Sequence, residues 1–283
     1  MDANNLYLQI EKDFITPGLS DDWAQYMESI SEYLTDEFKS RSMGLVCDNT
    51  DVVNKVYTAV FSSDHVMRYM LDKDESHLLL FVHHPSNWDI RKYPEYFQQM
   101  DRNLLHQFVE RQISIYNLHV PLDAYGKYST SVSLANNLGF NIIKPFYHYF
   151  GAEVGVYCET KISSTRELNK LFESTLGHRT SIYPYGKDEI SRGIVAVVAG
   201  SANSMSIHED MMKEGINTLI TGITVRNEMT EQIHANAEAY EINILGGTHY
   251  STEKPGCQAI CKYFQSIELP SEFIEDTPIL EDL

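Results

Sequence analysis

From about residue 77 onward, short apolar runs alternate with helix-length amphipathic stretches, and this alternation constrains the fold more than any other feature of the chain. Strand and helix patterns taken in turn are the signature of an α/β architecture with largely parallel strands, because each parallel pair needs a crossover that is usually a helix. The pattern predicts strands near 77–83, 114–119, 153–158, 180–184, 193–199, 217–221 and 241–246. It predicts helices at 95–112, 129–138, 163–176, 204–214, 229–240 and 252–266. Several open on Ser or Thr, and several close on glycine, at Gly139, Gly177 and Gly215. The first seventy residues read as helical, broken by polar stretches at Ser40-Arg41-Ser42 and Asp48-Asn49-Thr50. The last stretch, from Glu268 to Leu283, carries six acidic residues, no basic ones and two prolines, and reads as a solvated, partly disordered tail.

Composition narrows the function classes. With 43% hydrophobic and 22% charged residues, usage is ordinary for a globular protein, and no run reaches the roughly 20 apolar residues that span a bilayer. The opening Met1-Asp2-Ala3-Asn4-Asn5 has no basic region followed by an apolar stretch, so the expected location is the cytoplasm. Cys47, Cys158, Cys257 and Cys261 contain no C-x-x-C pair and are too few for a disulfide scaffold, which fits a reducing compartment. Cys257 and Cys261, four apart in an expected helix, read as small core residues. A formal charge of −18 argues against a polynucleotide partner, which clustered Lys and Arg would hold, and favours metal cations and a small-molecule substrate.

Chemistry-bearing residues collect at three strand ends. In Leu78-Leu79-Leu80-Phe81-Val82-His83-His84-Pro85 a buried strand runs into two histidines and is stopped by a proline. The carboxyl edge of a parallel sheet is where ligands bind. Adjacent residues on an extended chain project to opposite sides, so the pair is expected to serve two different metal ions a few ångströms apart. In Leu118-His119-Val120-Pro121-Leu122-Asp123, a His and an Asp again follow a β-type run, and a carboxylate such as Asp123 is able to bridge two divalent ions. In Gly246-Gly247-Thr248-His249-Tyr250-Ser251-Thr252-Glu253, a glycine turn precedes a His and a Glu four residues on. Glu253 falls near the positive end of a helix dipole, with Ser251 also readable as a plain N-cap. Each loop alone is equally an ordinary turn; three together, with nitrogen and oxygen ligands and no thiolate, suit zinc, iron or manganese.

Weaker candidates surround these loops. The backbone of Gly200-Ser201-Ala202-Asn203-Ser204 could cradle an anion, although it lacks the Lys and glycine spacing of a phosphate loop. Trp88, Tyr125 and Tyr128 could stack on a heteroaromatic ring, and Lys127 and Arg226 could neutralise a substrate phosphate, with packing the default reading of the aromatics and solvated positions that of the two cations. His106, His148, His178, His208 and His234, read as having no carboxylate company, are assigned to surface or core.

H-H-P at 83–85, H-x-x-L-D at 119–123 with S-L-A-N-N-L-G at 133–139, V-A-G-S at 198–201, L-I-T-G at 219–222 and G-T-H-Y-S-T-E at 247–253 resemble the NIF-three-like family of dinuclear-metal proteins. Its members often carry the label GTP cyclohydrolase I type 2 homologue. The similarity runs from about Gly44 to Phe264. The resemblance implies two intertwined α/β domains with mixed, largely parallel sheets, two divalent metal ions per chain in the cleft between the domains, and a toroidal homohexamer. It implies a first domain of 1–145 plus 247–283 and a second of 146–246. It assigns His83, His84, Asp123, His249 and Glu253 as metal ligands, His119 as an auxiliary or proton-shuttling catalytic residue, and Trp88, Lys127 and Tyr128 as substrate-binding positions. Some members carry an inserted domain of about a hundred residues, for which a chain of 283 residues has no room. Ile223 after L-I-T-G, Ser86-Asn87-Trp88 after H-H-P, and Val120-Pro121 depart from the family pattern. They put the substrate in doubt and leave the ligands intact.

Two ions sharing Asp123 and a water would bring that water's pKa toward neutrality, so hydrolysis of a small heterocyclic or phosphorylated compound is the expected reaction class. The competing reading, from the same ligands, is a non-catalytic hexameric metal carrier or regulatory scaffold.

Overall fold

The computed structural model describes residues 1–283, and the chain packs into two compact units, each assembled from three chain segments. The first comprises Met1–Leu122, Phe150–Ala152 and Cys257–Thr277; the second comprises Asp123–Tyr149, Glu153–Gly256 and Pro278–Leu283. Both are α/β with mixed sheets, largely parallel in the first unit and parallel through the middle of the sheet in the second.

In the first unit a five-stranded sheet runs in the order Gly44–Cys47, Ile113–Asn117, Leu78–His84, Lys55–Phe61, Ser271–Phe273. Only the Gly44–Cys47 strand is antiparallel to its neighbour. Leu78–His84 lies at the centre with every residue buried, which is why it reads as an unbroken apolar run and not an alternation. Sequestering each of its Leu, Phe and Val side chains contributes about 1.5–3 kcal/mol. The surrounding core is closed by Phe38, Met67, Met70, Leu104 and Phe108 from helices on either side in the sequence.

Three expectations change here. The first seventy residues contain the strands Gly44–Cys47 and Lys55–Phe61 as well as helices. Lys55-Val-Tyr-Thr-Ala-Val-Phe is buried from Val56 onward on both faces, so it lacks the two-residue period that marks a half-exposed strand. The acidic tail is also ordered: Ser271–Phe273 pairs in parallel with Val56–Thr58, and the Lys55 ammonium meets Glu272 at 2.7 Å. The helix expected over 95–112 is confined to Arg102–Glu110, because Asp101 caps it through the N–H groups of Asn103 and Leu104. Phe97–Gln98 instead pairs with Asn87–Trp88.

In the second unit three parallel strands, Ile194–Val197, Thr218–Thr221 and Asn243–Gly246, form the middle of a six-stranded sheet. Ala152–Glu159 and Ser181–Tyr183 flank them antiparallel, and Asn141–Tyr149 forms an edge. Helices Thr165–Leu176 and Met205–Glu214 end in left-handed Gly177 and Gly215, as the sequence predicts. Residues 123–145, expected in the first domain, pack here with 146–149, since Asn141–Tyr149 joins this sheet. Residues 257–277 pack in the first unit and 247–256 in the second, so the compact units do not divide at 145 or 246.

Candidate metal centre

The first unit gathers three histidines where its central strands end. His83 and His84 are the last residues of Leu78–His84, and His119 follows the strand Ile113–Asn117 by two positions. Their ring centroids lie 4.4 Å (His83–His84), 5.1 Å (His83–His119) and 4.9 Å (His84–His119) apart. One ligand nitrogen from each falls within 4.8 Å of the others, and His83 and His84 are buried. Although adjacent on the strand, His83 and His84 bring their rings to within 4.4 Å of one another, and both join His119 in this group.

Hydrogen bonds fix two of these rings. The Nδ1 of His83 lies 2.9 Å from the carbonyl of Leu118, which only accepts; Nδ1 therefore donates and the lone pair sits on Nε2. The Nδ1 of His119 lies 3.1 and 3.2 Å from the two carboxylate oxygens of Asp21, with the same result. His84 stacks on Phe61 at 4.9 Å, its cross-strand neighbour. Trp23 sets its ring edge-on to His84 and His119 at 5.3 and 5.4 Å. Three mutually adjacent imidazoles, two of them with the ring proton held at Nδ1, are a donor set for a borderline transition-metal ion, and metal-binding histidines characteristically have their other nitrogen held in this way.

The second unit holds an imidazole–carboxylate pair. The helix carrying it starts at His249, three residues earlier than the sequence predicts. Thr248 and Ser251 form reciprocal backbone–hydroxyl bonds at 3.1 Å, so Thr248, not Ser251, occupies the cap. His249 and Glu253 are then one turn apart on one face, both buried, with Nε2 donating to Oε1 at 3.1 Å. The backbone N–H of His249 donates to the buried carboxylate of Asp282 at 2.8 Å, so the acidic tail supplies part of this site. Asp123 is half-buried and its Oδ1 accepts from the Thr130 hydroxyl, which orients the carboxylate.

The Gly200 loop backs Glu253. Gly200 has φ +72°, and a β-carbon there would collide with the Glu253 carboxylate. The loop is not the anion cradle considered from sequence. The Gly200 N–H is spent on the Thr252 hydroxyl at 3.0 Å and the Ala202 N–H on the Thr221 hydroxyl at 3.1 Å.

Of the expected substrate-binding residues, Trp88 is buried and packs on Tyr96 and Phe97 at 4.8 and 5.1 Å, so its ring faces protein. Lys127 is exposed, with its ammonium 4.9 Å from the ring centre of the half-buried Tyr128. Tyr125 and Arg226 are exposed. His106 and His148 do have carboxylate neighbours, Glu110 at 3.5 Å and Glu153 at 3.9 Å, on exposed surface. His208 and His234 are buried, and burial pushes both pKa values down, that of His208 to about 4. Asp21 and Asp282 are the site residues that sequence reasoning missed. Neither belongs to a periodic segment or to a motif, and both act over distance along the chain.

Residues 20–278 match the family model Duf34/NIF3, NGG1p interacting factor 3. The chain belongs to the Duf34/NIF3 family. Duf34/NIF3 relatives named GTP cyclohydrolase 1 type 2 homolog include one from Borreliella burgdorferi, 27% identical over 213 residues that cover 75% of this chain and 79% of that protein. Another, from Pyrococcus horikoshii, is 27% identical over 220 residues, covering 77% and 82%. The fold is shared with a solved protein described as ybgI of unknown function, with TM-score 0.76, 20% identity and coverage of 99% and 100%. It is shared also with reduced HcgD from Methanocaldococcus jannaschii, with TM-score 0.69, 21% identity and coverage of 98% of each chain. No helix in this Duf34/NIF3 chain is long and apolar enough to cross a membrane.

Proposed function

We propose that this protein binds two divalent metal ions and hydrolyses a small heterocyclic or phosphorylated compound. His83, His84, Asp123, His249 and Glu253 would hold the ions, and His119 would serve as an auxiliary ligand. The observation that carries this reading is the triad His83–His84–His119, two of its members buried, in which both rings with a resolved tautomer carry the proton at Nδ1 and leave Nε2 as the donor nitrogen. The His249–Glu253 pair supports it with a nitrogen and an oxygen donor, the combination that zinc, iron and manganese accept. A bound divalent pair supplies Lewis acidity and brings the pKa of water toward neutrality. The chain's own part is to hold its donors rigid and dehydrated: Leu118 and Asp21 lock two rings, Phe61 and Trp23 wall the triad, and Thr130 orients Asp123. The curated relatives' shared name points to a cyclohydrolase-type substrate. A homohexameric assembly, expected from the family resemblance, belongs to the same proposal and is checked by light scattering.

Elemental analysis of protein purified without added metal should return close to two transition-metal equivalents per chain. His84→Ala and Glu253→Ala should lose most of it, while exposed His106→Ala should keep it. The metal-loaded protein is then incubated with a panel of nucleotides, phosphoesters and cyclic amides. Full metal retention by both ligand variants overturns the assignment. Absence of product with every metal, together with rapid transfer of metal to a chelator, overturns the hydrolase and leaves a carrier.

A further inference from the structure

Asp21 lies in a segment with no helix or strand of its own, 98 residues before His119, and its side chain is fully buried. An isolated buried carboxylate carries a desolvation penalty of several kcal/mol unless hydrogen bonds offset it. Here three N–H groups converge on it: Asp22 at 2.9 Å, Val120 at 3.3 Å, and the imidazole Nδ1 of His119 at 3.1–3.2 Å. Two of the three donors belong to the turn that carries His119, so the carboxylate grips backbone and ring of that turn together. The next residue but one, Trp23, packs edge-on against both His119 and His84. The segment around Asp21 therefore touches the triad twice, once by hydrogen bond and once by packing.

We propose that Asp21 is a positioning residue of the metal centre: it selects the Nδ1–H tautomer of His119 and aims Nε2 at the ion. This rests on the metal reading above for its functional meaning, but the tautomer assignment does not. The contrast with His83 gives the reason a carboxylate is used. His83 is fixed by a neutral carbonyl from the adjacent strand end, whereas His119 sits on a short turn and is held by a charged acceptor that also grips the Val120 N–H. A carboxylate partner makes the imidazole a stronger donor than a carbonyl does, and losing such a partner characteristically weakens metal affinity 10- to 100-fold.

The test uses full-length protein with 15N-labelled histidine and the variants Asp21→Asn and Asp21→Ala. Long-range proton–nitrogen correlation of the metal-free wild type should show His119 with Nδ1 protonated and Nε2 bare. Asp21→Ala should give a mixture of tautomers. Asp21→Asn keeps the side-chain volume, guarding against loss of fold, and its amide is able to donate to Nδ1 and invert the pattern. In competition titrations zinc should bind both variants 10- to 100-fold more weakly. A His119 pattern unchanged in both variants overturns the proposal, as does unaltered zinc affinity when the pattern has shifted. If wild type binds no zinc while the tautomer still depends on Asp21, the metal centre is refuted and the control of the ring by Asp21 stands.

Discussion

Gly200→Ala and Gly215→Ala form a matched pair that isolates the contact between the Gly200 loop and Glu253. Both glycines are left-handed, with φ +72° and +69°, so alanine at either position incurs the same backbone strain of about 1–2 kcal/mol. Their surroundings differ. Nothing lies within 4 Å of a β-carbon at Gly215, whereas one at Gly200 runs into Glu253 Oε1 and comes within 3.5 Å of His249 Nε2. Gly200 cannot retreat, because its N–H is bonded to Thr252 at 3.0 Å and its carbonyl accepts from Gly222 at 2.7 Å and Thr221 at 3.1 Å. Overpacking of this kind adds about 1–3 kcal/mol. Urea unfolding of metal-free protein should therefore show a loss of about 1–2 kcal/mol for Gly215→Ala and about 2–5 kcal/mol for Gly200→Ala. Zinc content after gel filtration should fall only in Gly200→Ala, since only there is a proposed ligand displaced. Equal destabilisation with equal zinc content would falsify the reasoning.

Three further outcomes follow from the structure. Asp282→Ala strands the His249 N–H in a buried site and should reduce stability by about 1–3 kcal/mol in urea unfolding; a disordered tail would give no change. The pKa of His208 is pushed down from 6.5 to about 4, first by burial and then by the charge of His234, so between those values the unfolded chain binds a proton that the folded one refuses. Stability from this source is complete above pH 6.5 and lost as pH falls toward 4, by up to about 3 kcal/mol, and metal-free His208→Leu should show a correspondingly shallower decline in unfolding midpoint. Burial raises the thiols of Cys47 and Cys158 to about 12, so native protein should resist iodoacetamide at these positions, as mass spectrometry of the unmodified peptides will show; rapid alkylation at pH 8 would contradict their packing.

What the sequence makes legible follows from local causes. Pro85 ends a both-faces-buried strand and so fixes where His83 and His84 stop; Gly247 and Thr248 do the same for His249. The His249–Glu253 pairing needs only helical spacing, and the structure keeps it at 3.1 Å. The illegible parts are those decided by distant partners. Lys55–Phe61 gives no alternation because a strand on each side and packing above and below bury it, and Glu272 is drawn from a stretch of like charge by Lys55 at 2.7 Å and the Tyr69 hydroxyl at 2.6 Å. Average charge over a window cannot see two such partners, one 217 and the other 203 residues away.

The same physical device orients histidines in both units, applied to different atoms. In the first unit the acceptors take ring protons: the Leu118 carbonyl from His83 and the Asp21 carboxylate from His119, each at Nδ1, so that Nε2 is the nitrogen offered to a cation. In the second unit Asp282 takes the backbone N–H of His249 and fixes where the helix begins, while the ring nitrogen Nε2 shares its proton with Glu253. The first arrangement presents Nε2 as it stands, but in the second the ring must move its proton from Nε2 to Nδ1 before both atoms are able to ligate one ion. That change is internal to the ring and releases no net proton, so its signature is the position of the hydrogen: long-range proton–nitrogen correlation of His249 should show it at Nε2 in metal-free protein and at Nδ1 once zinc is bound. With Glu253→Gln that switch should weaken while the triad's share of zinc binding persists; a His249 that keeps its hydrogen at Nε2 in zinc-saturated wild type would mean that the pair is not a ligand pair at all.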